Sequence, residues 1–188
     1  MEQKSDHELI AAYREGGDDA LDILVRRHLA AVYRFLHRMV GDVQAAEDLT
    51  QEAFVKAWRR LSTFDSSRSF KAWLFAIARN TAVDYFRKRK AVVFAALEDD
   101  EMPDISAAIA DERPLPDEVL ERGDMAAQLE SALGALPPKA RSVVLLHETE
   151  EMTFQEISDA TGEPLNTVKS RYRRALALLR KKLTDRLQ

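Results

Sequence analysis

Apolar residues recur at the spacing of an α-helix through the first half of the chain. Between Asp6 and about Lys90 they fall three or four positions apart, as in the run Leu49, Ala53, Phe54, Ala57, Trp58 and Leu61. Residues that break helices gather at Gly16-Gly17, at Gly41-Asp42 and in the stretch 62–69. The pattern therefore predicts about four helices in this half, with turns at those three places.

The helical pattern weakens after Phe94 and returns near Val119. The intervening stretch, LEDDEMPDISAAIADERPLP, contains three of the six prolines and many acids, which predicts a linker with at most a short helix around residues 105–110. Helical spacing then resumes, with a stop at Pro137-Pro138. Strand-like alternation and internal repeats are not visible in the sequence. We expect an all-α protein of two small helical domains, residues 1–93 and 117–188, joined by an acidic linker, residues 94–116.

The segment TFQEISDATGEPLNTVKSRYRRALALLRKKL contains the most specific local signals. Thr153 and Glu156 have the spacing of a capping box, which starts a helix. Gly162 suits the left-handed conformation that ends a helix, and Pro164 suits the first turn of the next one. A short helix, a glycine turn and a longer basic helix form the pattern of a helix-turn-helix.

The longer helix of this motif has two different faces. Its apolar residues gather on one side: Leu165, Val168, Tyr172, Ala175, Leu176, Leu179 and Leu183. The other side is polar and basic: Asn166, Ser170, Arg173, Arg174 and Lys181, flanked by Lys169 and Arg171. A cationic face near the start of such a helix suits the major groove of DNA, where Arg pairs with guanine. The alternative is a solvated basic helix in an ordinary bundle.

Charge is segregated along the chain, although the net charge is only −4. Residues 71–96 carry six basic residues and one acidic residue, residues 97–124 carry eleven acidic and two basic ones, and residues 164–188 carry eight basic and one acidic. Two basic segments separated by an acidic one indicate two DNA-contacting surfaces joined by a segment that does not contact DNA.

Composition excludes several classes of protein. The chain has no cysteine, which excludes disulfide scaffolds and thiolate zinc sites, and its four histidines lack ligand spacing. We therefore expect no metal and no cofactor. The amino terminus lacks the apolar core of a signal peptide, and no run of about 18 apolar residues is present to span a bilayer. A cytoplasmic protein without membrane insertion is expected.

Three motifs occur in a particular order. AEDLTQEAFVKAWRRL is followed by FKAWLFAIARNTAVDYFRK and, beyond the linker, by LPPKARSVVLLHETEEMTFQEISDATGEPLNTVKSRYRRA. In this order, from near Asp6 to the end, the chain resembles a bacterial RNA polymerase sigma factor of the extracytoplasmic-function group of the sigma-seventy family. The resemblance implies sigma region two in residues 1–93 and sigma region four, with its helix-turn-helix, in residues 117–188.

The resemblance implies a polymerase subunit that recognises and melts promoters and has no catalytic residues. The stretch DLTQE, residues 48–52, matches the segment that binds the clamp helices of the largest polymerase subunit, with Asp48, Gln51 and Glu52 as the binding residues. By spacing these three share one helical face, whereas Phe54 and Trp58 are expected to anchor the helix in the core. A solvated helix face is the alternative.

The resemblance assigns a second contact to the stretch 62–90. Its periodic apolar residues are expected in the core: Phe70, Trp73, Leu74 and Ile77. The outer face and the preceding loop match the surface that binds the minus-ten element as a single strand, with a base flipped into a pocket beside Asn80. The residues expected to contact this strand are Asp65, Ser66, Ser67, Lys71, Asn80, Asp84, Arg87 and Lys88. Tyr85 and Phe86 either stack on bases or pack inside, and packing is favoured.

Region four is implied to bind the minus-thirty-five element as duplex DNA. The residues matching the family's base and phosphate contacts are Asn166, Thr167, Lys169, Ser170, Arg171, Arg173 and Arg174. Glu163-Pro164-Leu165 departs from the family's more usual Ser-containing turn. The preceding helices, about residues 125–146, match those that dock on the flap of the second-largest polymerase subunit.

The implied partners are core RNA polymerase, through its largest and second-largest subunits, promoter DNA and an anti-sigma factor. The rival hypothesis is a conventional helix-turn-helix regulator that dimerises on a palindrome. Such a regulator binds its duplex unaided, whereas a sigma factor needs core polymerase. An enzyme would require acids or histidines clustered near a cleft, whereas the acids of this chain lie on a helix face or in the linker.

Overall fold

A computed structural model describes residues 4–96 and 120–185. These two parts contain eight α-helices and no β-strand, which confirms the predicted all-α fold for the described residues. In chain order the helices are α1 (Asp6–Arg14), α2 (Asp18–Val40), α3 (Val43–Leu61), α4 (Phe70–Ala96), α5 (Leu120–Gly134), α6 (Pro138–Glu148), α7 (Phe154–Thr161) and α8 (Leu165–Asp185). We call α1 to α4 the first lobe and α5 to α8 the second lobe.

The predicted linker, residues 94–116, lies outside the described residues except for the last residues of α4, 94–96. The short helix expected around residues 105–110 also lies outside them. In the described parts of the chain, no helix is both long enough and apolar enough to cross a bilayer.

The helices of the first lobe are separated at the predicted breakers, and several of their ends have a local cap. Ser5 and Glu8 form a capping box at the start of α1. Gly41 follows α2 in a left-handed conformation with φ of 72°. Asp42 then caps α3 by accepting a 2.6 Å hydrogen bond from the Ala45 amide.

The core of the first lobe lies between α2, α3 and α4. Phe35 of α2 and Phe75 of α4 contact edge to face, with ring centroids 5.5 Å apart. The periodic apolar residues of α4 are buried as predicted, since Phe70, Leu74 and Ile77 all lie in the core. Trp73 is half-buried against it.

The second lobe contains the predicted helix-turn-helix in α7 and α8. Thr153 and Glu156 form the capping box at the start of α7, and Gly162 ends this helix with φ of 69°. The Pro164 carbonyl accepts a hydrogen bond from the Val168 amide, so Pro164 immediately precedes α8 and caps its first turn. The apolar face of α8 is buried as expected, with Val168 and Ala175 fully covered.

The two lobes pack against each other, chiefly through α2 and α4 of the first lobe and α6 and α7 of the second. Arg141 of α6 is buried at this contact and donates hydrogen bonds to the Met39 carbonyl of α2 and the Gly134 and Leu136 carbonyls of its own lobe. Burial lowers the pKa of the Arg141 guanidinium to about 10. A buried cation bound by backbone carbonyls thus joins the end of α2 to the second lobe.

Candidate functional site

Apolar side chains line an open groove between α2 and α3, which we call the α2–α3 groove. Its volume is about 400 Å³. The lining includes Leu21, Val25 and Leu29 of α2 and Gln51, Val55 and Trp58 of α3. Leu29, Val55 and Trp58 are exposed although they are large and apolar. Exposed apolar side chains gathered in a groove mark a surface that contacts another molecule.

Trp58 is not the core anchor that its spacing predicted. It is 56% exposed, and its Nε1 donates a 2.7 Å hydrogen bond to the hydroxyl of Tyr13 in α1. Phe54, one turn earlier, is half-buried against the core as expected. The helical period placed both residues on one side of α3, but α2 and α3 leave the groove between them unfilled. Trp58 therefore lines an open surface.

The three polar residues expected to bind polymerase are all exposed on α3: Asp48, Gln51 and Glu52. Gln51 lines the α2–α3 groove together with Val55 and Trp58, which follow it by one and two helical turns. Glu52 forms a 2.7 Å ion pair with Lys56 on the same helix. The sequence predicted that these three polar residues form a binding face, but it missed the apolar groove next to Gln51. The spacing of Gln51, Val55 and Trp58 was the available signal for that groove.

The loop 62–69 is held in place by aromatic packing and by α1. The Phe64 ring contacts Phe70 and Trp73, with centroid distances of 5.7 and 4.9 Å. Arg14 of α1 donates a 2.5 Å hydrogen bond to the Phe64 carbonyl. With its apolar residue anchored, the loop leaves residues 65–67 exposed.

The exposed part of this loop has an ordered set of polar groups. Asp65 accepts hydrogen bonds from the amide and the hydroxyl of Ser67, at 3.0 and 2.7 Å. These two bonds lower the pKa of the Asp65 carboxyl. The Ser66 hydroxyl accepts a 3.3 Å hydrogen bond from Arg14. The loop therefore presents hydroxyls and an ionised carboxylate at neutral pH.

The outer face of α4 brings three of its five predicted minus-ten residues to the surface. Asn80, Arg87 and Lys88 are exposed, and Asp84 is half-buried. Asp84 pairs with Arg87 at 3.2 Å. The Asn80 side-chain oxygen accepts a 2.9 Å hydrogen bond from Arg79, which uses one of the two lone pairs of this oxygen.

Other residues of α4 contact the second lobe. The Lys71 ammonium donates a 2.6 Å hydrogen bond to the Glu150 carbonyl and lies 3.6 Å from the Glu150 carboxylate. The Arg141 guanidinium lies over the Phe86 ring, 5.7 Å from its centroid. Tyr85 and Phe86 are both half-buried and pack against the core, which agrees with the packing role favoured over base stacking. One predicted DNA contact, Lys71, is therefore engaged within the protein.

The predicted duplex-binding residues of α8 fall into two groups. Three are exposed: Asn166, Arg173 and Arg174. Four are half-buried: Thr167, Lys169, Ser170 and Arg171. Arg174 donates from Nε to the Ser170 carbonyl and from Nη2 to its hydroxyl, both at 3.3 Å. The first three turns of α8 thus present a polar and cationic face, as expected.

Arg171 differs from its neighbours because it binds Glu163. One Glu163 oxygen accepts from Arg171, and the other accepts a 2.7 Å hydrogen bond from Arg79 of α4. Burial alone would raise the pKa of the Glu163 carboxyl, but its hydrogen bonds and charge pairing with Arg171 and Arg79 lower it. Glu163 thus joins the two lobes. In the sequence it was visible only as a departure from the family's usual turn.

Two family models match the chain, in the order of its lobes. Sigma-70 region 2 matches residues 24–92, and Sigma-70, region 4 matches residues 126–179. Together the matches span more than half of the chain.

Known proteins agree with this assignment over nearly the whole length. The ECF RNA polymerase sigma factor SigW of Bacillus subtilis is 32% identical over 178 residues, covering 94% of this chain and 95% of SigW. The structure of CnrH in complex with the cytosolic domain of CnrY matches with a TM-score of 0.70 at 26% identity, covering 97% of this chain and 99% of CnrH.

A co-crystal structure of the sigma factor RpoE with the anti-sigma factor NepR from Bartonella quintana shares the fold. Its TM-score is 0.68 at 24% identity, with coverage of 87% of this chain and 96% of RpoE. With region two and region four in their expected order and a full-length match to SigW, the chain belongs to the extracytoplasmic-function group of sigma-70 RNA polymerase sigma factors.

Proposed function

We propose that this sigma factor docks on core RNA polymerase through the α2–α3 groove and the polar rim formed by Asp48, Gln51 and Glu52. Sigma factors are initiation factors that give RNA polymerase its promoter specificity, and they are not enzymes. The observation that carries the proposal is the open groove, in which Val55 and Trp58 are exposed beside that rim. Apolar anchors surrounded by charged groups are typical of a protein–protein interface.

The partner surface should combine apolar side chains with basic ones, because the rim carries two carboxylates. This chemistry fits the clamp helices of the largest polymerase subunit, the partner that the family resemblance implies for this segment. Trp58 would fill the centre of the contact, and Asp48 and Glu52 would fix the orientation of the partner helices.

We assign binding of the minus-ten strand to the first lobe. Residues 65–67 and Asn80 supply hydroxyl, carboxylate and amide groups that suit a flipped base. Asp84 and Lys71 flank this surface, and the basic end of α4 at Arg87 and Lys88 supplies cations for the phosphates. Tyr85 and Phe86 serve packing rather than stacking, since both contact the core.

Binding of the minus-thirty-five duplex belongs to the second lobe. Arg173, Arg174 and Asn166 are exposed on α8, which has the geometry of a recognition helix after the tight turn at Gly162. The residues that complete this face are Thr167, Lys169, Ser170 and Arg171. We expect the residues nearest the start of α8 to contact base edges and the later ones to contact phosphates.

These assignments divide the chain functionally into residues 1–93, for polymerase and the minus-ten strand, and residues 117–188, for the minus-thirty-five duplex. The linker, residues 94–116, would span the distance between the two DNA elements. We also propose that residues 125–146 contact the flap of the second-largest polymerase subunit.

The comparison with CnrH supports an inhibitory protein partner that acts in the cytoplasm. That protein was solved in complex with the cytosolic domain of CnrY. We expect an anti-sigma factor of this kind to hold the present chain in the cytoplasm and to prevent its contact with polymerase.

The proposal is tested by mixing core RNA polymerase with the wild type or with the double variant Asp48→Lys/Glu52→Lys. Complex formation and promoter opening are measured on a promoter selected from a random-sequence pool by the wild-type holoenzyme. Because reversed charges oppose a basic partner, assembly should fall steeply, by at least about tenfold. Circular dichroism checks that the variant is folded.

The control is Glu151→Lys/Asp159→Lys, which makes the same change of charge at two exposed positions of the second lobe. This control should assemble like the wild type. A folded Asp48→Lys/Glu52→Lys protein that assembles normally would overturn the docking assignment. Tight binding of the wild type to promoter duplex without polymerase would instead favour the conventional regulator.

A further inference from the structure

Arg14, the last residue of α1, binds the first half of the loop 62–69 at three points. Its Nη2 donates to the carbonyls of Leu61 and Phe64, at 3.2 and 2.5 Å. Its Nη1 donates to the Ser66 hydroxyl at 3.3 Å. A guanidinium carries several donors in one rigid plane, so it can bind several acceptors at once, whereas the ammonium of Lys is a single point charge.

His7, two turns earlier on α1, binds the other end of the same loop. Its Nε2 lies 3.0 Å from the Arg68 carbonyl, and because a carbonyl oxygen only accepts, His7 is the donor. The His7 ring also faces the ring of buried Phe64, with centroids 6.5 Å apart. One helix therefore holds the loop at both of its ends.

These contacts and the Asp65 turn give the two exposed serines of the loop opposite roles. The Ser66 hydroxyl accepts from Arg14, so its own hydrogen is available for donation. The Ser67 hydroxyl donates to Asp65 at 2.7 Å, so its lone pairs are available to accept. A donor and an acceptor at a fixed separation discriminate between base edges, because each base presents its own pattern of such groups.

Attachment of α1 to the first lobe does not depend on Arg14. Leu9 and Ile10 of α1 are buried in the core. At the start of α1, the Asp6 carboxylate lies 2.8 Å from Nε2 of His28 in α2. Arg14 itself is exposed, so its bonds order an exposed loop and do not neutralise a buried charge.

We propose that Arg14 is a positioning residue for minus-ten recognition, which together with His7 keeps the loop 62–69 in the conformation that selects the flipped base. The inference rests on the proposed function, in which residues 65–67 bind that base, and it assigns Arg14 no contact with DNA. A loop already in its bound conformation loses less entropy on binding, and its polar groups stay close to the geometry of one base. Release of the loop should therefore weaken strand binding and base discrimination together.

The test uses holoenzyme formed at saturating core polymerase and labelled single-stranded oligonucleotides. One oligonucleotide carries the minus-ten element that the wild-type holoenzyme selects from a random-sequence pool, and three others carry the remaining bases at its most strongly selected position. Fluorescence anisotropy measures the affinity for each. In Arg14→Met the preference for the selected base should fall at least about fivefold, because the donor and the acceptor of the loop no longer keep their separation.

Arg14→Lys separates positioning from a direct contact of Arg14 with a phosphate. Lys keeps the charge and binds phosphates, but its single ammonium does not span the three acceptors of the loop. We expect Arg14→Lys to lose base preference as Arg14→Met does. A phosphate contact would instead be restored by Lys, and its loss in Arg14→Met would weaken all four strands equally and lower the salt dependence by about one phosphate. That pattern would overturn the proposal.

Arg26→Met is the matched control, since it removes one exposed cation from the first lobe. Arg26 pairs with Asp22 on its own helix at 2.9 Å, away from the loop. This variant should keep the base preference of the wild type. Amide hydrogen exchange in the free proteins should be faster in the loop 62–69 of Arg14→Met than in the wild type or Arg26→Met. Unchanged exchange in the loop would contradict a positioning role.

His7→Phe tests the other end of the loop and does not require Arg14→Met to fold. The substitution keeps a ring beside Phe64 but removes the donor to the Arg68 carbonyl, and His7 is exposed. Base preference should fall about two- to threefold, less than with Arg14→Met, because one hydrogen bond is lost instead of three.

Failure of this inference is distinguishable from failure of the proposed function. If folded Arg14→Met and His7→Phe keep the base preference of the wild type, Arg14 and His7 do not position the loop, and the minus-ten assignment is unaffected. A wild-type holoenzyme without any base preference on the single strand would contradict the minus-ten assignment itself and the inference with it. All variants should assemble with core polymerase like the wild type, since the loop lies outside the α2–α3 groove.

Discussion

The indole nitrogen of Trp58 donates a 2.7 Å hydrogen bond to the hydroxyl of Tyr13, which joins α3 to α1. This bond fixes the orientation of a large aromatic side chain that is 56% exposed. An ordered aromatic residue at the surface loses little conformational entropy when a partner covers it. Trp58 is therefore suited to be the central contact of the α2–α3 groove.

Trp58→Ala should weaken binding to core polymerase by about 2 kcal/mol or more, the usual cost of removing a central aromatic contact. Thermal stability should change little, because the side chain is mostly solvated. Affinity for core enzyme and the melting temperature are measured together. Tyr13→Phe, which removes only the hydroxyl partner, should have a smaller effect. If Trp58→Ala loses stability but binds core polymerase with unchanged affinity, Trp58 has a structural role and is not a polymerase contact.

Arg174→Ala should reduce binding of the holoenzyme to its minus-thirty-five element by about 1 to 3 kcal/mol if the guanidinium pairs with a guanine. The loss should depend on sequence, so competition between the selected element and single-base variants is the measurement. Arg180→Ala, an exposed position farther along α8, serves as the control. If the wild type transcribes equally from promoters with native and scrambled minus-thirty-five elements, the proposal that α8 recognises bases is wrong.

Gly162→Ala should lower the free energy of unfolding by about 1 to 2 kcal/mol, because alanine is strained at a φ of 69°. No atom lies within 4 Å of the added methyl group, so the cost is conformational rather than steric. Denaturant unfolding measures it. Gly134→Ala meets no neighbouring atom either, and its φ is not positive, so this control should leave stability unchanged or raise it slightly. Equal effects of the two substitutions would contradict the explanation.

The stabilising effect of Glu163 should depend on pH. Its pKa is lowered in the folded protein, so its ionised form stabilises the folded state above the ordinary value of 4.5, and this contribution is lost as the pH falls below that value. The stability difference between the wild type and Glu163→Gln should therefore be full at neutral pH and shrink in acid. Denaturant unfolding of both proteins over this range measures it.

Protonation of Glu150 changes stability in the opposite direction to protonation of Glu163, but it does not disturb the comparison of the wild type with Glu163→Gln. Burial raises the pKa of its carboxyl, so its protonation in acid favours the folded state. Because Glu150 is present in both proteins, its effect cancels in the difference. A stability difference that stays constant from neutral pH into acid would show that the charge of Glu163 does not stabilise the fold.

Much of the fold could be predicted because its signals are local. The capping box at Thr153 and Glu156, the left-handed residue at Gly162 and the apolar side of α8 each involve residues a few positions apart. Helix caps and helical periodicity are satisfied within one or two turns, so a sequence displays them directly. The polar rim of α3 was visible for the same reason, since Asp48, Gln51 and Glu52 share one helical face.

The tertiary structure decided which apolar residues are covered and which cations are free. Periodicity shows that Trp58 lies on the apolar side of α3, but only the placement of α2 leaves that side open as a groove. The pairs Lys71–Glu150 and Arg79–Glu163 lie 79 and 84 positions apart, and no spacing rule links such residues. Helices form from neighbouring residues, whereas exposure and long-range ion pairs depend on how finished helices pack. The sequence by itself therefore determined the helices and the family, and packing determined which binding residues the free protein makes available.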